Sequence, residues 1–154
     1  MYPYRSMRAR VCATLVALFG LTPMVAPTQQ AASLTVSQAW ARATPPGARV
    51  GGAYFTIVNG GPADTLMRLE TPVAAKSEMH VTTMEHGTMS MRELQAVPVP
   101  AQGQVQFRPG GMHAMLLDLK GPLKEGQHFP LTLVFQHAGA VTVDVTVKGL
   151  GGDE

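Results

Sequence analysis

Cysteine is almost missing from this 154-residue chain: there is one, Cys12, at the start of an apolar stretch and preceded by Ala9-Arg10-Val11. That context is no lipidation site, and a single cysteine closes no internal disulfide. Charge is scarce as well, with 14% charged residues against 45% hydrophobic ones, which excludes the profile of a disordered chain. The formal balance of +2 is too small for a nucleic-acid binder. Apart from Asp153-Glu154, acidic side chains are scattered singly, so no oxygen cluster of the kind that holds calcium or magnesium is in sight. The apolar stretch Val11–Ala26 spans 16 residues and contains Pro23, short of the roughly 20 that a bilayer-spanning helix needs.

A basic start (Arg5, Arg8, Arg10) followed by that short apolar stretch has the make-up of a secretory leader. Residues 1–32 are expected to be a signal peptide, cleaved somewhere between 26 and 33. Its removal takes away three of 12 basic residues and no acid, so nine basic residues face ten acidic ones and the balance becomes −1. Cys12 goes with it. The remaining domain, expected over 33–149 with a loose tail at 150–154, is thiol-free, and thiolate chemistry is closed to it. It is expected to be periplasmic, monomeric and not inserted in a membrane after cleavage.

From Leu34 onward, short segments of period-two alternation are separated by Gly, Pro and Asn, the spacing of an all-β sandwich. Strands are predicted at 34–41, 53–59, 66–70, 78–82, 89–94, 105–108, 112–119, 131–136 and 141–147. The last is the clearest: Val141, Val143, Val145 and Val147 alternate with Thr142, Asp144, Thr146 and Lys148. Turn signals stand between them at Thr44-Pro45-Pro46-Gly47, Asn59-Gly60-Gly61-Pro62, Pro109-Gly110-Gly111 and His137-Ala138-Gly139.

What the chain has in excess is methionine. Of ten, seven follow the leader, and six of those (Met79, Met84, Met89, Met91, Met112, Met115) crowd between residues 79 and 115 with His80, His86 and His113. Methionine is an adaptable core filler, so abundance alone says little. Placement says more. Pairing 78–82 with 89–94 around a loop at Met84–Gly87 sets His80 opposite Met91 and Thr82 opposite Met89, all on one face. His113 and Met115, two apart, share a face of the next predicted strand. If the segments meet, His80, Met91, His113 and Met115 close a four-ligand site of two imidazoles and two thioethers. Neutral soft donors of this kind select Cu(I), and the missing thiolate excludes a blue-copper electron carrier.

The spacing His80, ten residues, Met91, twenty-one residues, His113-x-Met115 resembles the signature of the PCuAC family of periplasmic copper chaperones. Ala39-Trp40-Ala41-Arg42-Ala43-Thr44-Pro45-Pro46-Gly47, the Tyr54 segment ending at Asn59, Pro109-Gly110-Gly111-Met112-His113 and Leu123-Lys124-Glu125-Gly126 are similar to family segments too. The resemblance implies a cupredoxin-like or immunoglobulin-like Greek-key β-sandwich. It implies one Cu(I) per chain held by His80, Met91, His113 and Met115. It further implies delivery of copper to the Cu(A) domain of cytochrome c oxidase subunit II, directly or with Sco-type proteins. Some members carry a Met/His-rich C-terminal extension for a second copper. This chain instead runs Leu150-Gly151-Gly152-Asp153-Glu154.

Taken singly, histidines and methionines are more often surface and core residues than ligands, and the spacing is what lifts these four. Met89, Met84 and His86 are auxiliary candidates near the hairpin tip, the last two expected in a solvated loop. Met79 and Met112 fall on the opposite face and are expected in the core or at its rim, Trp40 and Tyr54 as core anchors, His128 and His137 at the surface. The chain is expected not to be an enzyme. The alternatives are a secreted copper-dependent oxidoreductase, for which Glu78, Glu85 and Glu93 form no recognisable acid/base pair, a general periplasmic copper store, or a metal-free interaction module.

Overall fold

The computed structural model describes residues 34–151. The expected leader lies outside the described residues, as does the expected tail apart from Leu150 and Gly151. The described residues fold into ten strands: β1 Leu34–Arg42, β2 Val50–Asn59, β3 Asp64–Glu70, β4 Ala74–Glu85, β5 Thr88–Leu94, β6 Val97–Val99, β7 Gly103–Phe107, β8 Met112–Leu119, β9 His128–Phe135 and β10 Gly139–Lys148. Hydrogen bonds order them β5-β4-β8-β7-β2-β1-β10-β9-β3-β6, with a further β8–β2 pairing. All pairs are antiparallel except β1–β10 and β7–β8. β1 bridges the two leaves. It pairs with β2 along most of its length, breaks register between Ser37 and Trp40 where Gln38 has φ +53°, and then adds β10 as a parallel partner. Such a bulge bends a strand and lets one sheet turn onto itself.

Alternation along the strands supplies the core. Ala53, Phe55 and Ile57 of β2, Ala114 and Leu116 of β8, Phe129, Leu131, Leu133 and Phe135 of β9, and Val145 and Val147 of β10 join one buried cluster. Phe55 stacks on Phe107 with ring centroids 4.3 Å apart. The fold is the all-β, cupredoxin- or immunoglobulin-like sandwich expected. Nine predicted strands coincide with observed ones. The tenth, β6, is a three-residue edge strand, Val97-Pro98-Val99, which buries both valines and pairs only with β3. Proline is tolerated there because an edge strand leaves one row of backbone groups unpaired. Val141 and Val143 are half-buried rather than sealed, since only the later half of β10 lies deep in the cluster.

Two buried polar side chains fasten the loops at the ends of the sandwich. Asn59 accepts from the Gly61 N–H (2.9 Å) and donates from Nδ2 to the carbonyls of Pro62 (2.7 Å) and Pro100 (3.1 Å), joining the β2–β3 and β6–β7 connections. Asp64, at the start of β3, accepts from the backbone N–H groups of Thr65 (2.7 Å), His137 (3.0 Å) and Ala138 (2.8 Å). Burial pushes its carboxyl upward, but these three donors and the nearby His137 outweigh it and hold the group below the usual carboxylate range.

A carboxyl whose pKa is lower in the folded state contributes stability above its unfolded value, near about 3.9, and loses it as pH falls through the lower folded value. Asp64→Asn should therefore cost about 1–3 kcal/mol at pH 7, because it turns an acceptor oxygen into a donor facing buried N–H groups. It should also flatten the acid limb of stability, as read from denaturant midpoints between pH 7 and 2.5. An unchanged midpoint at pH 7 would contradict this role.

Candidate metal centre

β4 is the strand on which the site is built, because it pairs with β5 on one side and β8 on the other. Its inward positions are set by burial: Met79 is 4% exposed and faces Ala114, which is fully buried. Burying a methionine contributes about 1.5–3 kcal/mol, so the register of β4 against β8 is held from the core side. The neighbouring positions must then face outward. His80 stands directly opposite His113, with ring centroids 6.0 Å apart, and Glu78 stands opposite Met115.

On the other edge the observed register differs from the predicted one. Thr82, not His80, pairs with Met91, and His80 pairs with Glu93. The loop is shorter than the four residues assigned to it: His86 and Gly87 alone make the turn, both with positive φ (51° and 79°), the geometry of a two-residue hairpin turn. Met84 consequently belongs to β4 and pairs with Met89 instead of lying in a loop, while His86 sits exposed in the turn. The displacement moves each partner by two residues, which preserves the face. His80, Met91, His113 and Met115 thus stand on one outer face of three adjacent strands.

Hydrogen bonds give each imidazole a defined free nitrogen. His80 Nε2 lies 2.7 Å from Glu78 Oε2. The Glu78 carboxyl, engaged by the Lys76 ammonium and by His80, is held below its ordinary range against the opposing effect of burial. A carboxylate only accepts, so Nε2 carries a proton, and in the neutral ring Nδ1 is the bare nitrogen. That Nδ1 is buried and has no hydrogen-bond partner. His113 Nδ1 lies 3.1 Å from the Gly111 carbonyl, which also only accepts, so its Nε2 is the bare nitrogen. Orientation of a histidine by a carboxylate or carbonyl on its far nitrogen is the usual support of a metal ligand. Among the described residues no three His, Asp or Glu cluster tightly enough to hold an ion by themselves. Two neutral imidazoles with two thioethers on one face suit Cu(I).

The outer face continues past Met115, and here the prediction for two aromatics fails. Met115 pairs with Gly52 of β2, and Tyr54 lies over that glycine: a Cβ at position 52 would stand 3.0 Å from the tyrosine hydroxyl. Tyr54 pairs with Trp40, ring centroids 4.5 Å apart, and Lys148 Nζ lies 5.0 Å from the Trp40 ring. Trp40 and Tyr54 are half-buried on the outside, because the core positions beside them are taken by Ala41 and Ala53. Only their alternation with those alanines could have placed them outward. A groove of about 790 Å³ runs beyond them, bordered by Thr56, Gln106, Arg108 and Lys148. It contains no imidazole or thioether and is not the metal centre. His128, bonded to Asp144 (2.7 Å), and His137 are exposed on or beside β9, away from the three site strands, as expected.

A family model described as "Putative lipoprotein LpqE-like" matches residues 34–147. A "Putative lipoprotein" of Leifsonia xyli subsp. xyli is 34% identical over 128 residues, covering 82% of this chain and 76% of the relative. The copper-bound PCuAC domain from PmoF2 superimposes with a TM-score of 0.64 at 26% identity, over 75% of this chain and 92% of that domain. The solution structure of the Cu(I) form of DR1885 from Deinococcus radiodurans gives 0.60 at 33% identity, over 78% and 81%.

The tautomers are directly testable without metal. Nitrogen-15 NMR of the metal-free chain at pH 8 should find His80 protonated at Nε2 and His113 at Nδ1. The opposite assignment at either ring would remove that nitrogen from the donor set.

Proposed function

The chain belongs to the LpqE-like family and is similar to solved PCuAC domains, and from that premise we propose that it is an exported carrier of Cu(I). It holds one ion through His80 Nδ1, His113 Nε2 and the sulfurs of Met91 and Met115. The observation that carries this reading is the unpartnered, buried His80 Nδ1, aimed away from its Glu78 bond on the face that His113 and Met115 share. An orphaned buried nitrogen costs about 1–3 kcal/mol, and a ligand removes that cost. The copper-bound PmoF2 domain and the Cu(I) form of DR1885 support copper as the ion. The word lipoprotein in the family description and in the Leifsonia relative supports export, and the periplasm is the compartment we assign.

A carrier must release its cargo. Thioethers are neutral and weaker donors than thiolates, so passage of Cu(I) to a cysteine site, such as the Cu(A) domain of cytochrome c oxidase subunit II or a Sco-type protein, runs downhill. An oxidoreductase would need acid/base groups free beside the metal. Glu78 is instead engaged by Lys76 and His80. The half-exposed position of Met91 fits release, because an incoming thiolate can displace the outermost ligand first.

Titration of the leader-free chain with Cu(I) under reducing conditions should give one tightly held ion. Met115→Leu keeps the volume and removes the donor, so folding should persist while affinity falls by at least about ten-fold, the size of effect produced even by altering a ligand's supporting partner. Both imidazoles must be neutral to bind, so chelator competition should show affinity declining from pH 8 to pH 5. Transfer to an apo Cu(A) domain should follow on mixing. Retention of the ion by this chain would favour storage, and an affinity flat across that pH range would exclude imidazole ligands.

A further inference from the structure

Past Val81 the β4–β5 hairpin runs beyond its neighbour. β8 begins at Met112, the register partner of Val81, so the hairpin end pairs only with itself apart from one bond from the Thr82 N–H to the Gly111 carbonyl (3.1 Å). Met84, Met89 and Met91 line one face of this two-stranded arm. Met84 is directly opposite Met89, and Met91 lies two pairs nearer the sheet, opposite Thr82. They are 66%, 63% and 55% exposed.

Packing does not account for them. Every residue of β5 except Leu94 is exposed, so neither side of the strand reaches the core. The arm forgoes the burial that fixes Met79 in place, and its opposite face is polar, with Thr88, Ser90 and Arg92. The directly opposed Met84 and Met89 have Cβ atoms about 4.5–5.5 Å apart and the diagonal Met84–Met91 pair about 7–8 Å, within reach of long side chains, and each methionine adds three rotatable bonds, so three sulfurs can reach one ion.

We infer that Met84, Met89 and Met91 form a second, outer site for Cu(I), made of three thioethers and sharing Met91 with the inner site. Identification of the cargo as Cu(I) rests on the function proposed above. The sulfur trio itself rests on the register and exposure of the arm. An ion captured there moves inward by ligand exchange. Met91 stays bound, the sulfurs of Met84 and Met89 leave, and His80, His113 and Met115 take their places. Copper remains Cu(I) and no electron is transferred. Thioethers do not titrate, so the three sulfurs stay available in acid, where protons compete for the imidazoles of the inner site and charge the exposed His86 of the turn.

Silver(I), soft, singly charged and not readily oxidised, serves as the probe, with methionine methyl groups labelled for NMR in the full leader-free chain. In His80→Ala/His113→Ala, one equivalent of Ag(I) should shift the methyl signals of Met84, Met89 and Met91 alike at pH 7 and pH 5. Adding Met84→Leu/Met89→Leu should weaken that binding by at least ten-fold. His113→Gln replaces the double alanine variant if the latter fails to fold. Unmoved Met84 and Met89 signals overturn the outer site. If His80→Ala/His113→Ala binds Cu(I) as tightly as the parent chain, the inner-site reading fails, and a response at Met84 and Met89 would still support the outer one.

Discussion

The pairing of β4 with β8 is the constraint on which the molecule's chemistry depends. Met79 and Ala114 face each other inside the core, and that apolar contact forces the next pair, His80 and His113, to face each other outside it. A slip of β4 by one residue would turn His80 inward and expose Met79, at a cost of about 1.5–3 kcal/mol for that side chain alone. Hydrophobic burial, which has no direction of its own, is thereby converted into the position of two nitrogen donors. The donors are then aimed by local bonds: a carboxylate two residues back for His80, a carbonyl two residues back for His113.

The methionines divide along the same line. Met79 and Met112 face the core or its rim and are explained by packing. Met115 and Met91 stand on the imidazole face, and Met84 and Met89 continue that face out along the arm. One residue type serves as filler on one side of a strand and, in the proposed function, as a soft donor on the other. The difference lies in the strand parity that each position inherits from the core.

Much of this was legible in the sequence. Period-two alternation and Gly/Pro punctuation located nine strands because both are local signals. β6 escaped because Val97-Pro98-Val99, flanked by a further proline, reads as a loop to any rule that penalises proline in strands. The hairpin register was misplaced because His86-Gly87 is an unusual sequence for a two-residue turn, a place normally taken by Asn-Gly or Asp-Gly. The shared face survived that error because the partner of His80 changed by two positions, from Met91 to Glu93. The supporting bonds of Glu78 and Gly111 and the hold of Asp64 on the β9–β10 turn depend on contacts distant in sequence or on side-chain orientation. Alternation in a single strand does not reveal them.

The central claim is that this face binds Cu(I) through two imidazole nitrogens and two thioether sulfurs. X-ray absorption at the copper edge of the chain loaded with one equivalent of Cu(I) tests it most directly. The account predicts a first shell of two nitrogen and two sulfur donors, falling to one sulfur in Met115→Leu. A shell of nitrogen and oxygen alone, or a sulfur shell indifferent to that substitution, would contradict it.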